Sequence, residues 1–197
     1  MPQFAFPDWG PYESNAIEFD LPESISPDNF AVCTEHGCNK RIPIQLSPAQ
    51  WQAIKQSFLP LARSAEQERT QIAVAVGKME KMVAPYAKTL NEKGGDFNGF
   101  GAPGSQQDCI DESVNTTTYL TLFEQTGLLN FHRVEKRASR GYLFIAGWPH
   151  FTAIIQTIDL SKESWAVDSW FHDNGIQPEI LPLPRWKEGW KPAEFSM

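Results

Sequence analysis

The chain has 197 residues, with 17 Lys+Arg against 24 Asp+Glu and a formal net charge of −7. Hydrophobic residues at 41% and charged residues at 21% are globular proportions and argue against wholesale disorder. The acidic balance argues against a nucleic-acid binder, which needs a net basic face, and no apolar run approaches the roughly 18 residues of a membrane span.

Residues 1–30 carry five prolines without a clean period and read as an extended arm. With the loop that follows, the arm covers residues 1–46, and a single domain is expected over 47–197. Arg41-Ile-Pro-Ile-Gln-Leu suits one short strand. Ser47-Pro48 is a helix start, because the hydroxyl can cap and proline at the first position loses no needed donor. Trp51, Ile54, Phe58 and Leu61 then recur at helical spacing. Ile72, Val76, Met79, Val83 and Tyr86 predict a second helix over 64–90, ended or kinked by Pro85. Asn91–Gln107 is a Gly-, Asn- and Pro-rich loop. A third helix runs from Asp108 to Gln125 and stops at Gly127. The pattern then turns to β: 141–146, 150–158 and 164–171 are β-branched and aromatic runs, the last two joined by the turn Asp159–Glu163. From Ile176 onward the chain reads as an irregular strap. Helices followed by an antiparallel sheet predict an α+β fold.

Three cysteines leave one unpaired in any local scheme. Cys33 and Cys38 bracket a C-x4-C loop that holds His36. A disulfide, a zinc site using His36 and a fourth ligand from elsewhere, and two unrelated thiols all fit that spacing. A disulfide would imply an oxidising compartment, hence periplasm or secretion. The chain does not open on a basic stretch followed by an apolar one, which reads as unexported, although a chain already stripped of a signal would look the same.

Cys109 stands in the first turn of the predicted third helix, where free N–H groups and the helix dipole favour a thiolate; Asp108, Asp111 and Glu112 oppose this. The bland reading of such a cysteine is a small buried hydrophobe. Thiol catalysis also needs a base and a group to orient it. His150 opens one strand of the hairpin and Asp168 nearly closes the other. Side chains alternate along strands, so the two share a face only if the connecting loop has an odd number of residues or a bulge intervenes. His132 reads as a surface or strand-start residue, and His172 as part of a turn at Asn174-Gly175.

Asp108-Cys109-Ile110-Asp111-Glu112, Trp148-Pro149-His150-Phe151-Thr152-Ala153 and Trp165-Ala166-Val167-Asp168-Ser169-Trp170 together resemble the transglutaminase-like cysteine peptidases of the papain-like superfamily. The spacings are 150 − 109 = 41 and 168 − 150 = 18 residues, and the similarity spans about 47–175. The resemblance implies a papain/transglutaminase-like core. Cys109 would be the nucleophile, His150 the general base and acid, and Asp168 the orienting carboxylate. The Cys109 N–H, with the Gln106 or Gln107 side chain, would bind the oxyanion. The implied activity is acyl transfer on peptide or isopeptide bonds of a peptide or protein substrate, to water or to an amine, without a cofactor. Gln106-Gln107 replaces the glycine that such proteins often carry before Asp-Cys. The alternative is an inactive relative that binds a protein partner.

Overall fold

The computed structural model describes residues 10–95, 107–141 and 149–195. Among these the chain is a mixed α+β fold with five helices and two antiparallel sheets. Helix α1 is Pro11–Phe19, followed by the hairpin β1 (Phe30–Thr34) and β2 (Lys40–Ile44). Next come α2 (Pro48–Lys55), α3 (Ala65–Ala87) and α4 (Cys109–Gln125). The strands β3 (His132–Arg140), β4 (His150–Thr157), β5 (Ser164–Asp168) and β6 (Glu179–Pro182) form the second sheet in that order, and α5 (Leu183–Lys187) follows it.

Residues 10–46 are not an extended arm but a helix and a hairpin. Tyr12 and Ala16 of α1 pack with Ala31, Cys33, Cys38 and Val114. Phe30, Val32 and Ile44 enter the main core with α3 and α4. All five residues of Phe30-Ala-Val-Cys-Thr are buried because its two faces meet two different layers, as a continuous apolar run requires.

Ser47 forms a reciprocal capping box with Gln50, as its sequence predicts. After Lys55 the chain tightens into a 3-10 turn at Gln56–Phe58, so Phe58 is buried but Leu61 is exposed. In α3 the stripe Ile72, Val76, Met79 and Val83 is buried, whereas Tyr86 is exposed. Pro85 sits in the last turn, and Lys88 at φ 63° ends the helix.

Helix α4 has no single apolar stripe because it is surrounded: Leu120, Leu122 and Phe123 join the main core, and Asp111 to Phe123 are all buried. Its threonines would ordinarily weaken a helix. Here Thr117, Thr118 and Thr121 donate to the carbonyls of Ser113, Val114 and Thr117 at 2.8–3.0 Å, so their hydroxyls need no water.

The odd-numbered residues Ala153, Ile155 and Val167 face the helical core. The even-numbered Ile154 and Ala166 face Leu181 and Trp186 in a second cluster. The C-terminal segment is therefore not an irregular strap: β6 pairs with β5, and α5 covers the sheet's other face. The strand expected over 141–146 falls almost wholly in 142–148, outside the described residues; β3 instead occupies 132–140, with a register shift between Glu135 and Ala138.

Candidate functional site

The β4–β5 register pairs Ala153 with Val167 and Gln156 with Ser164. Thr157 N–H donates to Glu163 O at 2.9 Å, leaving five residues, 158–162, in the connection. The loop is odd. Extending the register one step sets Asp168 opposite Thr152, so His150 and Asp168 lie on the same face. Their side chains meet: His150 Nε2 is 2.7 Å from Asp168 Oδ2, with both residues buried.

Trp186, fully buried, donates its indole N–H to the same Oδ2 at 2.7 Å. Its ring centre is 5.6 Å from that of the His150 imidazole and 4.3 Å from the Arg140 guanidinium carbon. The Arg140 guanidinium also donates to Trp186 O. The other carboxylate oxygen, Asp168 Oδ1, is buried without a hydrogen-bond partner among the described residues. Trp170 and Phe171 also pack on His150, at 5.0 and 5.4 Å between ring centres.

Cys109 reaches this site from α4. Its thiol lies against Pro149 O at 3.8 Å, and the Phe151 N–H is directed at the sulfur. The thiol therefore touches the backbone on both sides of His150, while no hydrogen bond joins Sγ to the imidazole among the described residues. Trp170 and Phe171 pack with Cys109 in one aromatic cluster. Burial pushes the thiol up to about 12, with Asp108 and Asp168 adding to the rise and the Phe151 N–H opposing it. Burial therefore disfavours the thiolate at rest.

The α4 N-terminus is anchored in an unusual way. Asp108 and Asp111 form a reciprocal capping box, and the Cys33–Cys38 loop closes over it. His36 N–H and Cys38 N–H donate to the two carboxylate oxygens of Asp111, at 2.8 and 2.7 Å, and Gly37 N–H donates to Asp108 Oδ2 at 2.9 Å. Glu35, His36, Gly37 and Cys38 all have positive φ, between 58° and 67°. Successive left-handed residues cost roughly 1–2 kcal/mol each outside glycine, but they turn successive N–H groups toward one anion-binding concavity. Cys33 and Cys38 form a disulfide, which spends the thiols that a zinc site would need. The Asp111 carboxyl, fully buried, is pushed up to about 7 by burial and by Asp108.

Gln107 places its side-chain amide on Cys33 O at 2.8 Å, so one of its two amide hydrogens is already engaged in the clasp. Gln106 lies outside the described residues.

A second polar layer lies beneath. Ser169 Oγ donates to Glu112 Oε2 at 2.8 Å and lies 3.0 Å from Thr116 Oγ1. Glu92 accepts from Gln107 N–H, and Glu80 from Gly175 N–H. Burial is the main cause in all three glutamates. It raises Glu112 to about 7 and, with Glu112 alongside, Glu92 to about 10 and Glu80 well above the carboxylate range.

His132 begins a strand, as one sequence reading has it, but it is buried. Arg69, which can only donate, lies 3.2 Å from Nε2, so the Nδ1–H faces Glu68 Oε1 at 2.9 Å. His172 lies in a turn and meets Glu179 Oε1 at 3.0 Å.

Sequence reasoning missed Trp186, Glu80 and Glu92, the burial of Glu112 and the grip on Asp111. The one available signal was a tryptophan between Pro184 and the Gly189-Trp190 stop, in a stretch whose prolines suggested no regular element. No family model, curated protein or solved structure matches this chain.

Proposed function

We propose that the chain is a thiol acyl-transfer enzyme of the transglutaminase-like cysteine peptidase type. Cys109 is the nucleophile, His150 the general base and acid, and Asp168 the carboxylate that orients the imidazole. The observation that carries this reading is the buried 2.7 Å contact of His150 Nε2 with Asp168 Oδ2, next to a thiol lying on the backbone that flanks His150. A His–Asp pair of this kind leaves Nδ1 as the nitrogen that takes a proton.

Because burial raises the thiol, the proposed chemistry is general-base rather than ion-pair in character. Sγ turns from Pro149 O toward Nδ1 and attacks the substrate carbonyl carbon while its proton passes to the imidazole. The oxyanion that forms is met by the Cys109 N–H, which at the first helical position has no carbonyl one turn back and is turned toward its own sulfur. Collapse breaks the carbon–nitrogen bond, and the imidazolium protonates the departing amine. The thioester left on Cys109 is cleaved by water, or by an incoming amine, as His150 takes the proton of the attacking group. The Cys109 sulfur then leaves as a thiol. Peptide or isopeptide bonds of a protein or peptide are the substrates this chemistry suits. The disulfide fits a periplasmic or secreted setting.

The experiment is acylation with p-nitrophenyl acetate followed by intact-mass measurement. One acetyl group on Cys109, lost in Cys109→Ser and suppressed about a hundredfold or more in His150→Ala, is the expected result. The second reading, a non-catalytic protein-binding module, is favoured by the burial of the thiol, which disfavours the thiolate. It stands if acetylation is slow and indifferent to His150.

A further inference from the structure

The Cys33–Cys38 loop makes more contact with the helix carrying Cys109 than a stabilising staple requires. Three successive N–H groups end on two aspartates that flank or nearly flank the cysteine in sequence. Cys33 O accepts from the Gln107 and Asn115 amides at 2.8 and 2.9 Å, and Cys33 N–H donates to Asn115 Oδ1 at 2.7 Å. The loop thus grips Gln107 and the cap Asp108 just before α4, and Asp111 and Asn115 within it, on both sides of Cys109. Its donors converge only because the 35–38 backbone is left-handed throughout. Three of those four residues carry a Cβ that disfavours that conformation. A covalent bond joins the two ends of the turn.

From this geometry we infer that the disulfide loop is a positioning element for Cys109, and that acyl transfer is available only to the disulfide-bonded chain. The inference rests on the reading of Cys109 as the nucleophile. A dithiol reductant delivers two electrons and two protons to Cys33–Cys38, giving two thiols and the reductant's own disulfide. The turn then relaxes to right-handed backbone, and His36, Gly37 and Cys38 withdraw their N–H groups. Asp108 and Asp111 must find other donors. The first turn of α4 shifts, and with it the sulfur's approach to His150. A displacement of about 1 Å at a reacting group costs on the order of a hundredfold in rate.

The test compares the oxidised chain with Cys33→Ser/Cys38→Ser, in which Cys109 is the sole cysteine, and with Asp111→Asn, which keeps the disulfide and weakens the grip. Amide hydrogen exchange over 107–116 reports the clasp whatever chemistry Cys109 carries. It should accelerate at least about tenfold in both variants while exchange in β4 and β5 is unchanged. Cys109 acetylation should fall on the order of a hundredfold, with a changed pH profile, which a purely structural loss would not produce. Unchanged exchange in either folded variant overturns the clasp. Faster exchange with an unaltered acetylation rate and pH profile overturns the positioning role. If the double-serine chain does not fold, Asp111→Asn decides by the same readouts. Slow, His150-independent acetylation of the oxidised chain refutes the nucleophile reading, and the exchange data still decide the clasp.

Discussion

The Trp186 indole N–H ends on Asp168 Oδ2, the same oxygen that meets His150 Nε2, both at 2.7 Å. The carboxylate is therefore fixed from two directions, while its other oxygen has no hydrogen-bond partner among the described residues. Trp186→Phe keeps the ring and deletes the donor. It should slow Cys109 acetylation about tenfold to a hundredfold, the kinetic equivalent of a charge-assisted hydrogen bond of about 1.5–3 kcal/mol. Single-turnover acetylation beside a thermal melt checks this, and a wild-type rate in the folded variant removes Trp186 from the machinery.

The buried glutamates set the pH dependence of stability. Glu92, raised to about 10, and Glu112, raised to about 7, bind protons in the folded chain that the unfolded chain has released. Their contribution is complete below the unfolded value near 4.5 and is lost as pH rises through 7 toward 10. The melting temperature should therefore fall steadily from about pH 5 to pH 9. Glu92→Gln should flatten the decline above pH 7, as a melting series in each background would show.

Glu68 has the opposite sign. Burial would raise it, yet the His132 ring and the Asn130 and Phe131 N–H groups hold it below the ordinary carboxylate range. Its contribution is present above the unfolded value and lost as pH falls through the folded one. Glu68→Gln sets an amide N–H against those donors and should cost about 2–3 kcal/mol at neutral pH. The gap from wild type should narrow in denaturant titrations near pH 3; a constant gap would mean that charge is not the cause.

Gly77 lets α3 approach the 173–176 turn closely enough for Gly175 N–H to reach Glu80 Oε2 at 2.8 Å. A Cβ there would sit 3.1 Å from Gly175 O and 3.3 Å from the Ile176 carbonyl group. Alanine favours a helix interior by up to about 1 kcal/mol over glycine. We nevertheless expect Gly77→Ala to destabilise by about 1–2 kcal/mol, since the clash is with backbone. Equilibrium unfolding gives the sign, and a more stable variant would show that the turn yields freely.

Local signals carried far in this chain. Ser47 and Asp108 cap the helices they precede, and the α3 stripe is buried down to Val83. The side-chain pairing of His150 and Asp168 was legible only as a condition on loop parity, because alternation ties faces to residue counts. What escaped was long-range. Pro11–Phe19 has a weak helical pattern of its own and is ordered by packing on β1 and α4. The 179–187 segment becomes a strand and a helix because β5 offers an unpaired edge and the sheet an uncovered apolar face. The aspartates beside Cys109 read as repulsive charges, and nothing local shows that a loop some 70 residues upstream supplies their donors.

The five-residue connection between β4 and β5 carries a fully exposed Leu160 at its centre and supplies none of the residues named in the proposed chemistry. By exposure it is a natural place for sequence drift. Its arithmetic is stricter than its chemistry: adding or removing one residue would transfer either His150 or Asp168 to the opposite face of the sheet unless a bulge absorbed the change, whereas a change of two would preserve the match. Length at this tip is therefore governed by even and odd, while composition is held by the Asp159 carboxylate, which accepts from Thr157 and Ser161, and by the left-handed Lys162.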